Sequence, residues 1–354
     1  MGQNNCERKV KFGVVGASWM GMCHIRAVAN HPKMELVAIC DNIAERLEKA
    51  KAETGVQKTY ADWNDLINDK EIEAVVLCVP DQLHVEMTVA ALEAGKDVIC
   101  EKPMALTLEE CEEMRAAEKR TGKRLMIGQI CRHTPAFQFT KELIEKGEIG
   151  ELYYVESEYA HDYSHSPGTS SWRVDPRREP YIGGGCHAVD LLRWIAGDPH
   201  EITAYSNHKC LTDWPVNDCT ISILRFPNDV IGKVFVSIGC KRDYTMRSCF
   251  YGTKGTIVCD NKSPYITIYK DTLGGKDSVF GEEGESSRNI PIRLPVEISN
   301  HNTYGELESF AECILNDTPV PTSSHDGECT VAVCIAAMES AKIGKSVEIK
   351  YPEK

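Results

Sequence analysis

The sequence predicts an α/β chain in two parts: an N-terminal doubly wound parallel sheet, then an α+β part with an open, mostly antiparallel sheet. Three observations carry this. Up to about Gly128, short continuous apolar runs alternate with helix-period segments, the pattern of strands covered on both faces by crossover helices. Beyond about Gly150 the runs alternate apolar with polar and follow one another through tight turns, the pattern of hairpins with one covered face. Between the first run and its helix stands a glycine-containing turn, and an acidic residue ends the second run.

The first run, with Val10, Phe12, Val14 and Val15, passes through Gly16, Ser18 and Gly21 straight into a helical segment. A strand, tight turn and helix start of this kind holds a dinucleotide. The first glycine permits the turn, the last lets helix and strand pack closely, and the helix N-terminus aims backbone N–H groups at the pyrophosphate. Ser18 stands where a middle glycine is usual; it is small, and its hydroxyl can donate to a phosphate oxygen. The second run, Leu36 to Cys40, ends in Asp41, about 20 residues past the turn, where a carboxylate accepts from ribose hydroxyls and repels a 2′-phosphate. The first part is therefore expected to be a Rossmann dinucleotide-binding domain, with NAD favoured over NADP. Arg46, one helical turn past Asp41, weakens that preference.

The remaining elements follow in order. Ala44, Leu47 and Ala50 mark a helix that ends at Gly55, and Asp62 is the expected N-cap of the next. Ala74 to Val79 is a buried strand stopped by Pro80, and a helix from Gln82 to Ala94 ends at Gly95. Asp97 to Cys100 is a strand that delivers Glu101, Lys102 and Pro103. Thr107 and Glu110 form a capping box for the helix that runs to Gly122, and Leu125 to Gly128 is the last strand of the parallel sheet. In the second part Leu152–Tyr159, Cys219–Phe226, Val230–Ile238, Met246–Tyr251, Thr256–Cys259 and Ile266–Tyr269 read as strands. Gly274 to Ser287 reads as an exposed loop. Helices at Tyr304–Leu315 and Glu328–Lys342 and a strand at Val347–Lys350 close the chain. The expected domains are 1–128 and 129–354.

Composition narrows the functional classes. With 354 residues the chain can bury two sizeable cores. A formal charge of −13 removes any electrostatic case for nucleic acid or an anionic membrane. No apolar run approaches a membrane span. Met1 to Lys9 is polar, without the apolar centre of a secretion signal, and Cys6 stands where a myristoylation motif needs Ser or Thr. The sixteen cysteines include no C-x-x-C pair and fall largely in strands and helices, so they read as buried thiols of a cytoplasmic protein, with no metal expected.

Two residues stand out for chemistry. Lys102 follows a parallel strand at its carboxyl end, where open α/β sheets bind ligands; there an ammonium can stabilise an alkoxide, although a strand-end lysine is by itself ordinary. His187 opens a helix after three glycines, Gly183 to Gly185, and shares a face with Asp190, Leu191 and Trp194. The helix dipole favours the neutral imidazole that a general base needs, and Asp190 is placed to orient it.

The chain resembles the Gfo/Idh/MocA family of NAD(P)-dependent oxidoreductases almost end to end. The marks are G-V-V-G-A-S-W-M-G with His24, V-V-L-C-V-P with His84, A-L-E-A-G-K-D-V-I-C-E-K-P-M-A at Ala91–Ala105, Trp172-Arg173, G-C-H-A-V-D-L-L-R-W at Gly185–Trp194, Tyr251 to Gly255 and Asp326-Gly327. The resemblance implies a Rossmann domain paired with an open-faced α+β domain, oligomers formed through the open sheet, and hydride transfer at a ring hydroxyl of a sugar, inositol or glycoside. It implies Lys102 and His187 as the catalytic pair. It implies cofactor contacts from Gly16, Ala17, Ser18, Trp19, Met20, Gly21, Asp41, Val79, Pro80, His84, Glu101 and Lys102, with Trp172 and Arg173 near the nicotinamide. Oxidation at C3 of a glucoside is common in the family. Relatives that oxidise, eliminate and re-reduce, so cleaving glycosides without net NADH, and a non-catalytic NAD- or sugar-sensing regulator are the alternatives.

One departure matters. Many family dehydrogenases carry an aspartate four residues before the histidine; here that position is Gly183. Asp162, Asp175 and Tyr181 are the candidates to replace it. The segment His161 to Tyr181, which includes Tyr163 and is rich in His, Tyr, Trp and Arg, suits sugar recognition, and Gln129 and Arg132 are further candidate substrate contacts.

Overall fold

The computed structural model describes residues 8–165, 172–270 and 291–353. The polar N-terminus through Glu7, part of the expected recognition loop (166–171) and the expected exposed loop Gly274–Ser287 lie outside the described residues. The chain divides into two compact units, one of Met1–Ile130, Asn302–Ala332 and Tyr351–Lys354, the other of Cys131–His301 and Val333–Lys350. The first unit thus ends two residues beyond the expected boundary and also takes in Asn302–Ala332, a stretch expected in the second domain.

In the first unit β1 (Val10–Val15), α1 (Trp19–Asn30), β2 (Met34–Cys40), α2 (Ala44–Thr54), β3 (Lys58–Tyr60), α3 (Trp63–Ile67), β4 (Ala74–Leu77), α4 (His84–Glu93), β5 (Asp97–Glu101), α5 (Leu108–Thr121) and β6 (Leu125–Gly128) alternate, all but β3 as expected. The six strands are all parallel, in the order β3-β2-β1-β4-β5-β6. The sequence order reverses between β1 and β4, and ligands bind beyond the strand ends at such a point. Asp62 caps α3 by accepting from Asn64 N–H, and the capping box of Thr107 and Glu110 forms on α5. The short strand β3 carries no buried residue, so it leaves no apolar signature in the sequence.

The second unit opens with α6 (Pro135–Glu145) and continues through β7 (Leu152–Ala160), α7 (Pro180–Gly183), α8 (Cys186–Ala196), β8 (Glu201–Asn207), β9 (Cys219–Arg225), β10 (Ile231–Ser237), β11 (Ser248–Gly252), β12 (Gly255–Cys259), β13 (Tyr265–Lys270) and β14 (Ile292–Pro295). The chain closes with α9 (Thr303–Asn316), α10 (Ser324–Ile343) and β15 (Val347–Glu348). The nine strands of the second sheet run β14-β13-β12-β11-β7-β10-β9-β8-β15, antiparallel except for the central pair β7 and β10. Helices α6 and α8 pack on one face.

The other face is unusual. On β9 the buried residues are Thr220, Ser222 and Leu224, whereas Ile221 and Ile223 are exposed. Their cross-strand partners Tyr205 on β8 and Phe235 and Lys233 on β10 continue that face, and Tyr205 and Ile231 are also exposed. Towards the centre it turns ionic: Lys233, Arg247 and the Tyr154 hydroxyl meet Glu156, and Arg242 meets Glu158.

Candidate active site

In the first unit the turn after β1 has the form a dinucleotide needs. Gly16 has φ of 92°, and a Cβ there would stand 2.2 Å from the Cys78 carbonyl oxygen beyond β4. A Cβ on Gly21 would stand 1.8 Å from the Gly16 oxygen, so α1 packs against the turn only with glycine at this position. Ser18 is the N-cap of α1, and among the described residues its hydroxyl makes no cap bond. Asp41 lies beside the turn: one carboxylate oxygen accepts from Ala17 N–H at 2.7 Å, the other from Ile43 N–H at 2.9 Å, with Arg46 at 3.4 Å. The acid expected on the ribose therefore also buttresses the turn. These residues fit NAD, which when bound supplies the hydride acceptor. Trp19 opens α1 largely exposed, beside half-buried Met20.

The end of β5 carries the second group. Glu101 accepts from Lys102 N–H at 3.2 Å and pairs with His24 Nε2 of α1 at 2.9 Å. Burial raises the Glu101 pKa, but the His24 hydrogen bond and charge and the Lys102 charge outweigh it and pull the carboxyl down to about 2. Donor atoms of His24, Cys78 and Glu101 lie within 4.8 Å of one another, a grouping that the His24–Glu101 bond accounts for. His84 opens α4. It is fully buried, with Nδ1 2.8 Å from the Pro103 carbonyl and Nε2 3.2 Å from that of Val79, so it clamps the backbone after β5 to the backbone after β4. Burial works against its charge, yet Cys100, Asp81 and the Pro103 carbonyl push it up to about 10. Gln129 follows β6 and is 1 % exposed, and its Oε1 has no hydrogen bond among the described residues.

Glu306 is the residue that sequence reasoning misses here. A glutamate in the first turn of an amphipathic helix reads as a solvated, dipole-favoured acid. In the structure it is wholly buried, neither carboxyl oxygen has a hydrogen-bond partner among the described residues, and burial together with the Glu101 charge raises it well above the usual carboxylate range.

In the second unit His187 lies in the first turn of α8, 2 % exposed, with the Tyr159 ring stacked 6.1 Å away. Tyr159 shares its hydroxyl with Tyr163 at 2.8 Å, and His161, Tyr163 and Tyr244 complete an aromatic, polar-tipped cluster. Asp190, expected to orient the imidazole, accepts from Arg132 at both oxygens, 2.8 Å each, so the two form a buried bidentate bridge. Tyr181 is buried, 1 % exposed, and its hydroxyl meets that of Ser222 at 2.5 Å. Asp162 is held low by Ser164 and by Lys241, and Asp175 folds onto Arg177.

A Cβ on Gly183 would stand 2.4 Å from Arg178 Nη1 and 2.5 Å from its Cζ. Arg178 is 3 % exposed, donates to the Gly183 carbonyl at 3.2 Å, and lies over the Trp172 ring at 4.6 Å, with Arg173 also over that ring at 4.5 Å. The sequence shows a basic run at Arg173, Arg177 and Arg178, but no periodicity says which of these arginines turns inward.

A parallel sheet with a dinucleotide turn, joined in one chain to an open-faced sheet that carries a buried imidazole among tyrosines, defines a nicotinamide-dependent oxidoreductase. Residues 10–129 match the Gfo/Idh/MocA oxidoreductase family with NAD-binding Rossmann fold, and residues 137–258 match the family's C-terminal domain. Inositol 2-dehydrogenase of Salmonella typhimurium is 30 % identical over 70 % of this chain and 72 % of its own. The scyllo-inositol 2-dehydrogenase (NAD(+)) of Bacillus subtilis is 28 % identical over 97 % of each chain. The solved levoglucosan dehydrogenase in complex with NADH and L-sorbose shares the fold, with a TM-score of 0.87 at 24 % identity over 98 % of this chain and 100 % of its own. The chain belongs to the Gfo/Idh/MocA family of NAD-dependent oxidoreductases. Among the described residues no helix is long and apolar enough to cross a membrane.

Proposed function

We propose that the chain transfers hydride between a ring hydroxyl carbon of a sugar, glycoside or cyclic polyol and NAD, with C3 of a glucoside as one position to test. The observation that carries this is the His187 cluster: a buried imidazole stacked on Tyr159 and surrounded by Tyr163, His161 and Tyr244, which offer flat faces to a sugar ring and hydroxyl or imidazole tips to its oxygens. Relatives that act on inositols support the polyol class. In this reading His187 takes the hydroxyl proton and the Lys102 ammonium stabilises the developing alkoxide. Trp172 and Arg173 are the proposed contacts to the nicotinamide end, and Asp162, Asp175 and Gln129 remain proposed polar contacts.

The test is absorbance at 340 nm with NAD⁺ against free sugars, O- and C-glucosides and inositols, with mass spectra of the products, and the reverse assay with NADH and keto sugars. NADH and a product two hydrogens lighter support the reading. Aglycone release without net NADH supports the redox-neutral alternative instead. Lys102→Met and His187→Ala are each expected to lower kcat/KM by about 100-fold or more while NAD still binds; full turnover by either sinks the assigned roles.

We also infer that the chain assembles into a homo-oligomer through the open face of its second sheet. Exposed Tyr205, Ile221, Ile223 and Ile231 above buried Thr220 and Ser222 invert the polarity of a solvated strand face, as expected where a second copy covers it. The largely buried thiols suit a cytoplasmic setting.

A further inference from the structure

We propose that Glu306 and Glu101 form a proton-linked carboxyl pair of the cofactor site: the pair gives up its one proton when NAD⁺ binds, because the oxidised nicotinamide ring is a cation, and keeps it when NADH binds. This rests on the reading of Lys102 as the residue at the reacting carbon, which sets the nicotinamide beside the end of β5. The first argument is place. Glu306 is in the first turn of α9, just ahead of Leu307, Phe310 and Ala311, which pack in the core of the parallel sheet. The ionisable groups around the pair come from three other elements: Cys100 before Glu101 on β5, Cys78 after β4, and His24 and Cys23 of α1. β1 presents Phe12 to α9, and His31 of α1 meets Glu308 instead. The Cys78 backbone lies against Gly16 of the dinucleotide turn, so the group borders the cofactor's place from below.

The second argument is charge. Glu101 is compensated by His24, 2.9 Å away, and by the charge of Lys102, its neighbour in the chain. Glu306 has no comparable partner: neither of its oxygens is hydrogen-bonded among the described residues, and the Cys78 thiol, which burial pushes up, adds no charge. Two buried carboxyls with compensation for one hold a single proton between them. The third argument is what distinguishes the two forms of the cofactor. NAD⁺ and NADH share adenosine, ribose and pyrophosphate and differ in ring charge. A cation beside Glu101 favours the doubly ionised pair, and a neutral ring does not. One O–H bond breaks, the proton passes to bulk water, and no electron moves. By linkage, a ligand that favours the deprotonated form binds more tightly as pH rises.

The experiment needs the intact chain and the cofactor alone. Fluorescence titration reads NADH affinity and calorimetry reads NAD⁺ affinity, from about pH 6.5 to about pH 8.5; binding heats in buffers of different ionisation enthalpy count the protons. In the wild type the ratio of NAD⁺ to NADH affinity is expected to rise about tenfold over that range, with roughly half a proton released per NAD⁺ and less than about a tenth per NADH. In Glu306→Gln, which keeps the shape and cannot ionise, the ratio is expected to change less than about twofold, a loss of slope that a merely structural role would not produce. A flat ratio in the wild type overturns the proposal. So does an unchanged slope in Glu306→Gln, which would place the proton elsewhere. If that variant does not fold, infrared difference spectra of the wild type decide: loss of a protonated-carboxyl stretch with NAD⁺ but not with NADH supports the pair, and an unaltered stretch overturns it. Failure of the underlying reading shows separately, as full turnover by Lys102→Met or as binding of neither nucleotide.

Discussion

At the scale of single residues, burial has reassigned charges that the sequence displays as ordinary. Glu306 is the sharpest case. Its carboxyl is surrounded by protein, near Glu101 and Cys78, and stays protonated well above the usual carboxylate range, through burial first and the Glu101 charge second. The sign of the consequence follows from linkage. A folded-state affinity for protons raised above the unfolded value leaves stability intact below about pH 4.5 and erodes it as pH rises towards the folded pKa, by up to roughly 1.4 kcal/mol per pH unit. Glu306→Gln keeps the shape without the proton. Its Tm relative to wild type is expected to rise between pH 5 and pH 8; thermal scans at those pH values showing a constant difference would refute the buried neutral acid. Glu101 has the opposite sign: its contribution is present above about pH 4.5 and is lost as pH falls towards about 2.

At the scale of elements, the dinucleotide turn depends on close approach between backbones. Because a Cβ on Gly21 meets the Gly16 carbonyl at 1.8 Å, and a carbonyl of that turn cannot move without displacing Ser18 and Ala17, Gly21→Ala is expected to weaken NAD binding by at least about 100-fold and to lower Tm. Titration of NADH fluorescence measures the first and calorimetry the second; near-native affinity would show the turn to be more pliant than its contacts imply. The same scale explains why α9 belongs to the first unit. Leu307, Phe310, Ala311 and Ile314 form its apolar stripe, and Phe310 lies 6.3 Å from Phe12 of β1 in the core of the parallel sheet. The periodicity of α9 is plain in the sequence, but the sheet it packs on lies almost 300 residues earlier in the chain, and no local pattern names that partner.

For the whole molecule, the open sheet face is the feature with the largest expected effect. Ile223→Lys combined with Tyr205→Glu places charges where a second copy is inferred to pack, and is expected to shift the assembly to monomers in sedimentation velocity while the circular dichroism spectrum is kept. An unchanged sedimentation coefficient would remove this face as the interface.

The sequence by itself determined the elements with strong local signals: β1 and β4 as continuous apolar runs, α5 by its capping box, the dinucleotide turn by its glycines and Asp41, and the placement of Lys102 at a strand end. It left β3, α6, α7, β8 and β14 unassigned. In β3 the cause is physical: three half-buried residues carry no apolar period. Where long polar side chains end is a matter of packing. Arg132 bridges Asp190, Tyr181 turned to Ser222, His84 clamped two carbonyls, and Arg178 filled the space beside Gly183. Periodicity reports which face of an element is apolar, because that depends on neighbours in the chain. The partner of a guanidinium or carboxyl depends on which distant donors and acceptors the packed core brings within about 3 Å, and that is a property of the fold as a whole.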